Sequence, residues 1–336
     1  MDPVEYIRLP KIELHCHLDG CVRPETAREI ALRRNLPLPP SVHDALIAPD
    51  ICEDLADYIR RIDFALDVMQ HEEDLARVAE ELMEMWAADH VVYGEARFAP
   101  QLHLRQELSL EHVLNAVHGG LMAGKRRYGV DFGLIVCCLR HENETQSLAV
   151  ARLTVENMDK VCALDLAGDE KRFDARAHRK AFALAREAGL HRTAHAGEAA
   201  GPASVRQALD LLDAERIGHG TRVSESSSLT QEMVERQIAL DMCPTSNLQT
   251  RCVASLRAHP IAQLLAQGVR VTVSTDARTT SNISVSGEFD KLSREIGWGR
   301  TEFLACQRNA AGAAFVSDVE RSGLARKLNV EAASSS

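Results

Sequence analysis

The ten residues KIELHCHLDG, positions 11–20, decide how the chain is read. The stretch has the composition of a strand, and in an extended chain side chains i and i+2 leave on the same face. His15 and His17 therefore point one way at the end of a strand, with Asp19 two residues on. Two imidazoles on one face can share a metal ion, or they can be unrelated polar residues. The segments downstream decide between these. Further β-rich runs occupy residues 91–100, 131–140, 161–170, 191–198, 216–220, 238–246 and 269–277. Amphipathic segments separate them: residues 73–90 space Leu75, Val78, Ala79, Leu82, Met85 and Trp86 at helical intervals, and Val205, Ala208, Leu209 and Leu212 do the same. Parallel neighbours need crossover helices, so strand alternating with helix implies a parallel sheet. Eight strands in one chain predict an α/β fold, a single closed (β/α)8 TIM barrel. No linker-like stretch interrupts the middle, so one domain is expected over 1–336. Residues 37–71 read as a helical insertion after the first strand-helix unit, and EAASSS at 331–336 as a frayed tail.

Composition narrows the function. Of 336 residues, 45% are hydrophobic and 26% charged, and the formal charge of 39 − 49 = −10 argues against nucleic acid or an anionic membrane as partner. No run of eighteen apolar residues is present to span a bilayer, and the N-terminal residues lack the basic-then-apolar order of a secretory signal. Nine cysteines without a CxxC pair do not make a disulfide scaffold or a four-cysteine zinc site. Reduced thiols in a cytoplasmic protein are expected.

Polar residues collect at the C-terminal ends of the strand-like runs, the face where barrel enzymes build their sites. His15, His17 and Asp19 end the first. Gly168 and Asp169 end the fourth, His195 and Glu198 the fifth, His219 the sixth and Asp276 the eighth. Three histidines and an aspartate suit zinc, and also iron, cobalt or manganese. A divalent ion lowers the pKa of bound water from ~15.7 toward ~7. Beside it, Glu198 could shuttle a proton, and His219 could orient the water or stabilise its charge.

ELHCHLDG, HAGE, RIGHG, CPTSN and STDA, together with EARFAP, CCLRH and DLAGDE, stand in an order and spacing that resembles the adenosine deaminase family over residues 9–320. The resemblance implies a zinc-dependent aminohydrolase on a TIM barrel, with one Zn2+ or another divalent transition metal per chain. Its substrate would be a small purine nucleoside: water replaces the C6 amine, turning adenosine or 2′-deoxyadenosine into inosine or 2′-deoxyinosine plus ammonia. His15, His17, His195 and Asp276 match the metal ligands, with His17 also facing the substrate. Glu198 matches the proton donor to purine N1 and His219 the residue that positions the attacking water. Gly168 matches a backbone donor to the purine, and Asp19 a ribose-hydroxyl contact; Asp19 as a cap on the following helix is the structural alternative. Leu55, Tyr58, Ile59 and Ile62 fall at i, i+3, i+4 and i+7, an apolar stripe at the position of the family's lid helix.

One position departs from the pattern. The family commonly carries a second acidic residue after the aspartate ligand, where it bonds purine N7, and this chain has Ala277. Either N7 is met by water or another side chain, or the site takes a related 6-aminopurine compound, such as adenine, an N6-modified AMP or an aminodeoxyfutalosine. In the second case Arg278 would read a carboxylate or phosphate; otherwise it is a loop ion-pair partner. Two-metal amidohydrolases use a lysine on the fourth strand, whereas Lys160 precedes that strand. A purine-binding protein without catalysis is the other alternative, and the retention of all four ligands and Glu198 counts against it.

Overall fold

The computed structural model describes residues 3–328, and the tail at 331–336 lies outside the described residues. Eight strands, β1 (Lys11–His17), β2 (Val91–Phe98), β3 (Asp131–Leu139), β4 (Ala163–Ala167), β5 (His191–Ala196), β6 (Arg216–His219), β7 (Ala239–Met242) and β8 (Arg270–Val273), lie in sequential order, each parallel to the next. The ring closes beyond β8. There the Asp276 N–H donates to the His15 carbonyl at 3.1 Å and the His17 N–H to the Asp276 carbonyl at 2.6 Å. The expected (β/α)8 barrel is the fold of this chain.

The helix layer forms for the reasons its sequence gives. Helix Glu72–Ala88 opens on Glu72, Glu73 and Asp74, which suit a helix N-terminus, and buries Leu75, Val78, Ala79, Leu82 and Trp86. It packs tightly against helix Leu110–Tyr128. A Cβ on Gly120 would stand 2.2 Å from the Ala76 carbonyl oxygen, and one on Gly124 2.4 Å from the Met83 Cβ. Each fully buried aliphatic side chain in this layer contributes roughly 1.5–3 kcal/mol.

Two expectations change. Residues 37–71 are three short helices, Val42–Leu46, Leu55–Ile59 and Asp63–Val68, with a 3-10 turn at Arg60–Ile62. Pro37, Pro39 and Pro40 remove backbone donors ahead of the first, while Ser41 and Asp54 cap the first two by accepting from the Asp44 and Asp57 N–H groups. The eighth strand ends at Val273, and Asp276 is reached through a loop in which it takes φ = +67°.

The barrel interior is ionic beneath the mouth. Arg97 Nη1 meets Asp165 at 3.0 Å, Arg216 Nε meets Asp241 at 2.7 Å, and Arg216 also pairs with Glu95; all five side chains are buried. Among the described residues no helix is long and apolar enough to cross a membrane.

Candidate active site

Four residues from three elements converge on one point at the C-terminal ends of the strands. The pairing of β1 with β2 shifts register between Glu13 and Cys16. Glu13 thus faces the helix layer, accepting from Trp86 Nε1 at 2.6 Å, while His15 and His17 both face inward. With His195 of β5 and Asp276 they form a group whose ligand atoms all lie within 4.8 Å of one another. His17 Nε2 is 2.9 Å from His195 Nε2, and Asp276 Oδ1 is 3.2 Å from His15 Nε2 and 3.5 Å from His17 Nε2. His15 is fully buried, yet neither ring nitrogen makes a hydrogen bond among the described residues. Burial pushes the His15 imidazole well below its ordinary range and His17 to about 3. Neutral imidazoles with lone pairs turned toward a carboxylate are a donor set for a divalent ion, and such an ion would satisfy the orphaned His15 Nε2.

Side chains behind the ligands hold them in place. The Asp165 carboxylate lies 3.1 Å from His195 Nδ1 and is clamped by Arg97. Burial alone would raise its pKa, but His195 and Arg97 hold it well below the usual carboxylate range. Ser246 Oγ donates to Asp276 Oδ2 at 2.6 Å. Sequence reasoning missed both residues. The available signal for Asp165 was an acid between Leu164 and Leu166, in the middle of an apolar strand. Asp165→Asn is expected to weaken divalent-ion affinity by about 10–100-fold, measured by competition with a chelator. An unchanged affinity would remove Asp165 from the ligand support.

Glu198 and His219 lie beside the cluster, with Glu198 Oε2 3.6 Å from His219 Nε2. Burial, then the charges of Asp276 and Glu170, raise the Glu198 carboxyl well above its ordinary range, which favours its protonated form. Its loop is fixed by Glu170, whose carboxylate accepts the N–H groups of Gly197, Glu198, Ala199 and Ala200 at 2.5–3.0 Å. The His219 tautomer follows from a chain of donors. The Ile261 N–H donates to His259 Nδ1 at 3.1 Å, so His259 Nε2–H donates to Asn247 Oδ1 at 3.1 Å. The Asn247 amide then donates to His219 Nδ1 at 3.0 Å. His219 Nε2 therefore carries the hydrogen and faces the site, and burial pushes its pKa to about 3. It is a neutral donor and no base at neutral pH.

The remaining expected residues are distributed around the mouth. Asp19 is buried with Oδ1 unpartnered among the described residues, its pKa raised to about 6 by burial, and it does not cap the following helix, whose N-cap is Arg23. Gly168 follows β4 at φ = +103°, a conformation open to glycine. Leu55 lines a cavity of about 770 Å3 that reaches Glu198 and Thr250, a volume within the range of small-molecule sites. Tyr58 is buried, whereas Ile59 and Ile62 are half-buried, and Ile62 packs against the main core.

Arg278 is not at the mouth. Its Nε donates to Glu13 at 2.9 Å and its Nη2 to Asp89 at 3.0 Å, both carboxylates being buried in the helix layer. The expectation that it reads a substrate anion is corrected, because its charge is taken up by these two acids. Arg278→Ala is expected to cost about 3–5 kcal/mol in chemical denaturation, since it takes the bonded cation from buried Glu13 and leaves Asp89, among the described residues, only the cation of Lys11 at 4.0 Å. A variant as stable as the parent would contradict this placement.

A (β/α)8 barrel with three imidazoles and a carboxylate at its mouth, beside a buried glutamic acid, defines a metal-dependent hydrolase. The family model described as "Adenosine deaminase" matches residues 10–331. An adenosine deaminase of Clostridium acetobutylicum is 36% identical over 329 residues, covering 97% of this chain and 98% of the relative. Among solved structures, an adenine deaminase from Arthrobacter aurescens superposes with a TM-score of 0.90 at 28% identity, covering 96% of this chain and 98% of its own. An Arabidopsis N6-mAMP deaminase gives 0.86 at 25% identity, covering 97% and 99%. The chain belongs to the adenosine deaminase family and is a metal-dependent hydrolytic deaminase.

Proposed function

We propose that the protein is a cytoplasmic zinc enzyme that hydrolyses the 6-amino group of a purine nucleoside, adenosine or 2′-deoxyadenosine, to the 6-oxo product and ammonia. The observation that carries this reading is the convergence of His15, His17, His195 and Asp276 within 4.8 Å beside the buried Glu198. An ion held by those four residues would act as a Lewis acid that makes water nucleophilic at neutral pH. The chain's own groups do the rest. Glu198 gives its proton to purine N1, so that negative charge does not build up on the ring as C6 becomes tetrahedral. His219 Nε2–H orients the incoming water, and the Glu198 carboxylate, once ionised, can take a proton from the added oxygen and pass it to the departing amine. Asp19, with its unpartnered oxygen, accepts from a ribose hydroxyl, and the Gly168 backbone meets the base. The segment carrying Leu55, Tyr58, Ile59 and Ile62 forms a lid on a single barrel domain and excludes water.

A second reading, a 6-aminopurine that also bears an anionic group, is favoured by the cavity wall. Lys171, Arg222 and Arg251 line it together with Glu198, and Arg251 spends its Nε on the Cys52 carbonyl with no acid bonded to its guanidinium among the described residues. Ammonia release from a panel of neutral and anionic 6-aminopurines tests both. Turnover of adenosine supports the first, turnover of anionic members alone supports the second, and turnover of none overturns both.

A further inference from the structure

The β8 side of the mouth is closed by a side chain from the insertion. Tyr58 is 3% exposed and packs with Ala277, Cys52 and Ala48. Its hydroxyl lies 2.6 Å from Ser281 Oγ. Ser246 has committed its hydrogen to Asp276 Oδ2 at 2.6 Å. Tyr58 itself packs on Ala277, the residue that follows the ligand Asp276.

β5 and β8 are three strands apart around the ring, so Glu198 and Tyr58 approach the cluster from different sides. A purine with C6 at the cluster and N1 at Glu198 turns its other edge, N7, toward the β8 side. On the reading that this site takes a 6-aminopurine, N7 brings a lone pair into a buried wall, and leaving it without a donor is costly. The neighbouring groups are spent or apolar. Arg278 is held by Glu13 and Asp89. The Asn247 amide serves His219 and its oxygen serves His259. Ala277 has nothing to donate.

We propose that Tyr58 is the residue that reads N7: its phenol O–H donates to the ring nitrogen, while Ser281 O–H donates to the phenol oxygen and holds it in line. The reading group then belongs to the covering segment and not to the barrel, so recognition of the base and coverage of the mouth are one event.

Adenosine and its 7-deaza analogue, which carries C–H in place of N7, test this in the metal-loaded enzyme. Tyr58→Phe is expected to lower kcat/KM on adenosine about tenfold, the usual effect of losing one hydrogen bond to a buried acceptor, while changing the analogue by less than about twofold. Ser281→Ala moves adenosine the same way by a smaller factor, and it decides the matter should Tyr58→Phe not fold. If the analogue turns over too slowly, its inhibition constant against adenosine, in parent and variant, supplies the comparison. Equal losses on both compounds, or none on adenosine, overturn the assignment and leave the deaminase reading standing. A parent enzyme that turns over no 6-aminopurine overturns the deaminase reading and the assignment with it.

Discussion

Glu198→Gln is expected to lower kcat by about 10²–10⁴-fold and leave the metal content at one ion per chain. The amide keeps the shape of the side chain and an oxygen to accept the Thr250 hydroxyl, which reaches Glu198 Oε1 at 3.3 Å. The four N–H groups that fix this loop are bonded to Glu170 and not to Glu198, so the backbone has no reason to move. What the amide cannot do is surrender a proton to N1. The parent carboxyl can, and burial and the nearby acids favour its protonated form. A loss of turnover with full metal occupancy locates the defect in proton transfer. Retained turnover would remove Glu198 from the chemistry.

His17→Ala should release the ion. The other three ligands stay in place, but His17 supplies the nitrogen that sits 2.9 Å from His195 Nε2 and 3.5 Å from Asp276 Oδ1. Removing a ligand should weaken affinity by more than the ~10–100-fold that accompanies loss of an outer-shell partner. Metal analysis after dialysis against a weak chelator reads the effect directly, and activity should fall with it. The fold should survive, since the His17 N–H that helps close the barrel on the Asp276 carbonyl belongs to the backbone. Undiminished metal in this variant would mean that the ion, if any, sits elsewhere.

Much of this site was legible because it is written in residue types that seldom gather by accident. Histidines two apart in a strand, HAGE after another and an aspartate after the last strand name their chemistry before any coordinates exist, and alternation of period 2 with period 3.6 gives the barrel. The supporting groups were harder to see. Asp165 and Arg97 are charges inside apolar strands, and only ring closure shows that they face each other and His195. The tautomer of His219 depends on His259, forty residues later and beyond another strand. Arg278 was misplaced because its partners, Glu13 and Asp89, are 265 and 189 residues away. Adjacency to the ligand aspartate suggested the mouth, whereas the backbone turns that side chain outward. The insertion read as a longer helical run than it is, because the stripe from Leu55 to Ile62 has helical spacing while Arg60–Ile62 tightens into a 3-10 turn.

The claim on which the rest depends is that one divalent ion is held jointly by β1, β5 and the loop after β8. Diffraction at the zinc absorption edge, on crystals of protein purified without chelator, tests it most directly. The account predicts one anomalous peak per chain, about 2.0–2.2 Å from a nitrogen of each of His15, His17 and His195 and from an oxygen of Asp276. Those four side chains pointing apart, or no peak even after crystals are soaked in zinc, would contradict it.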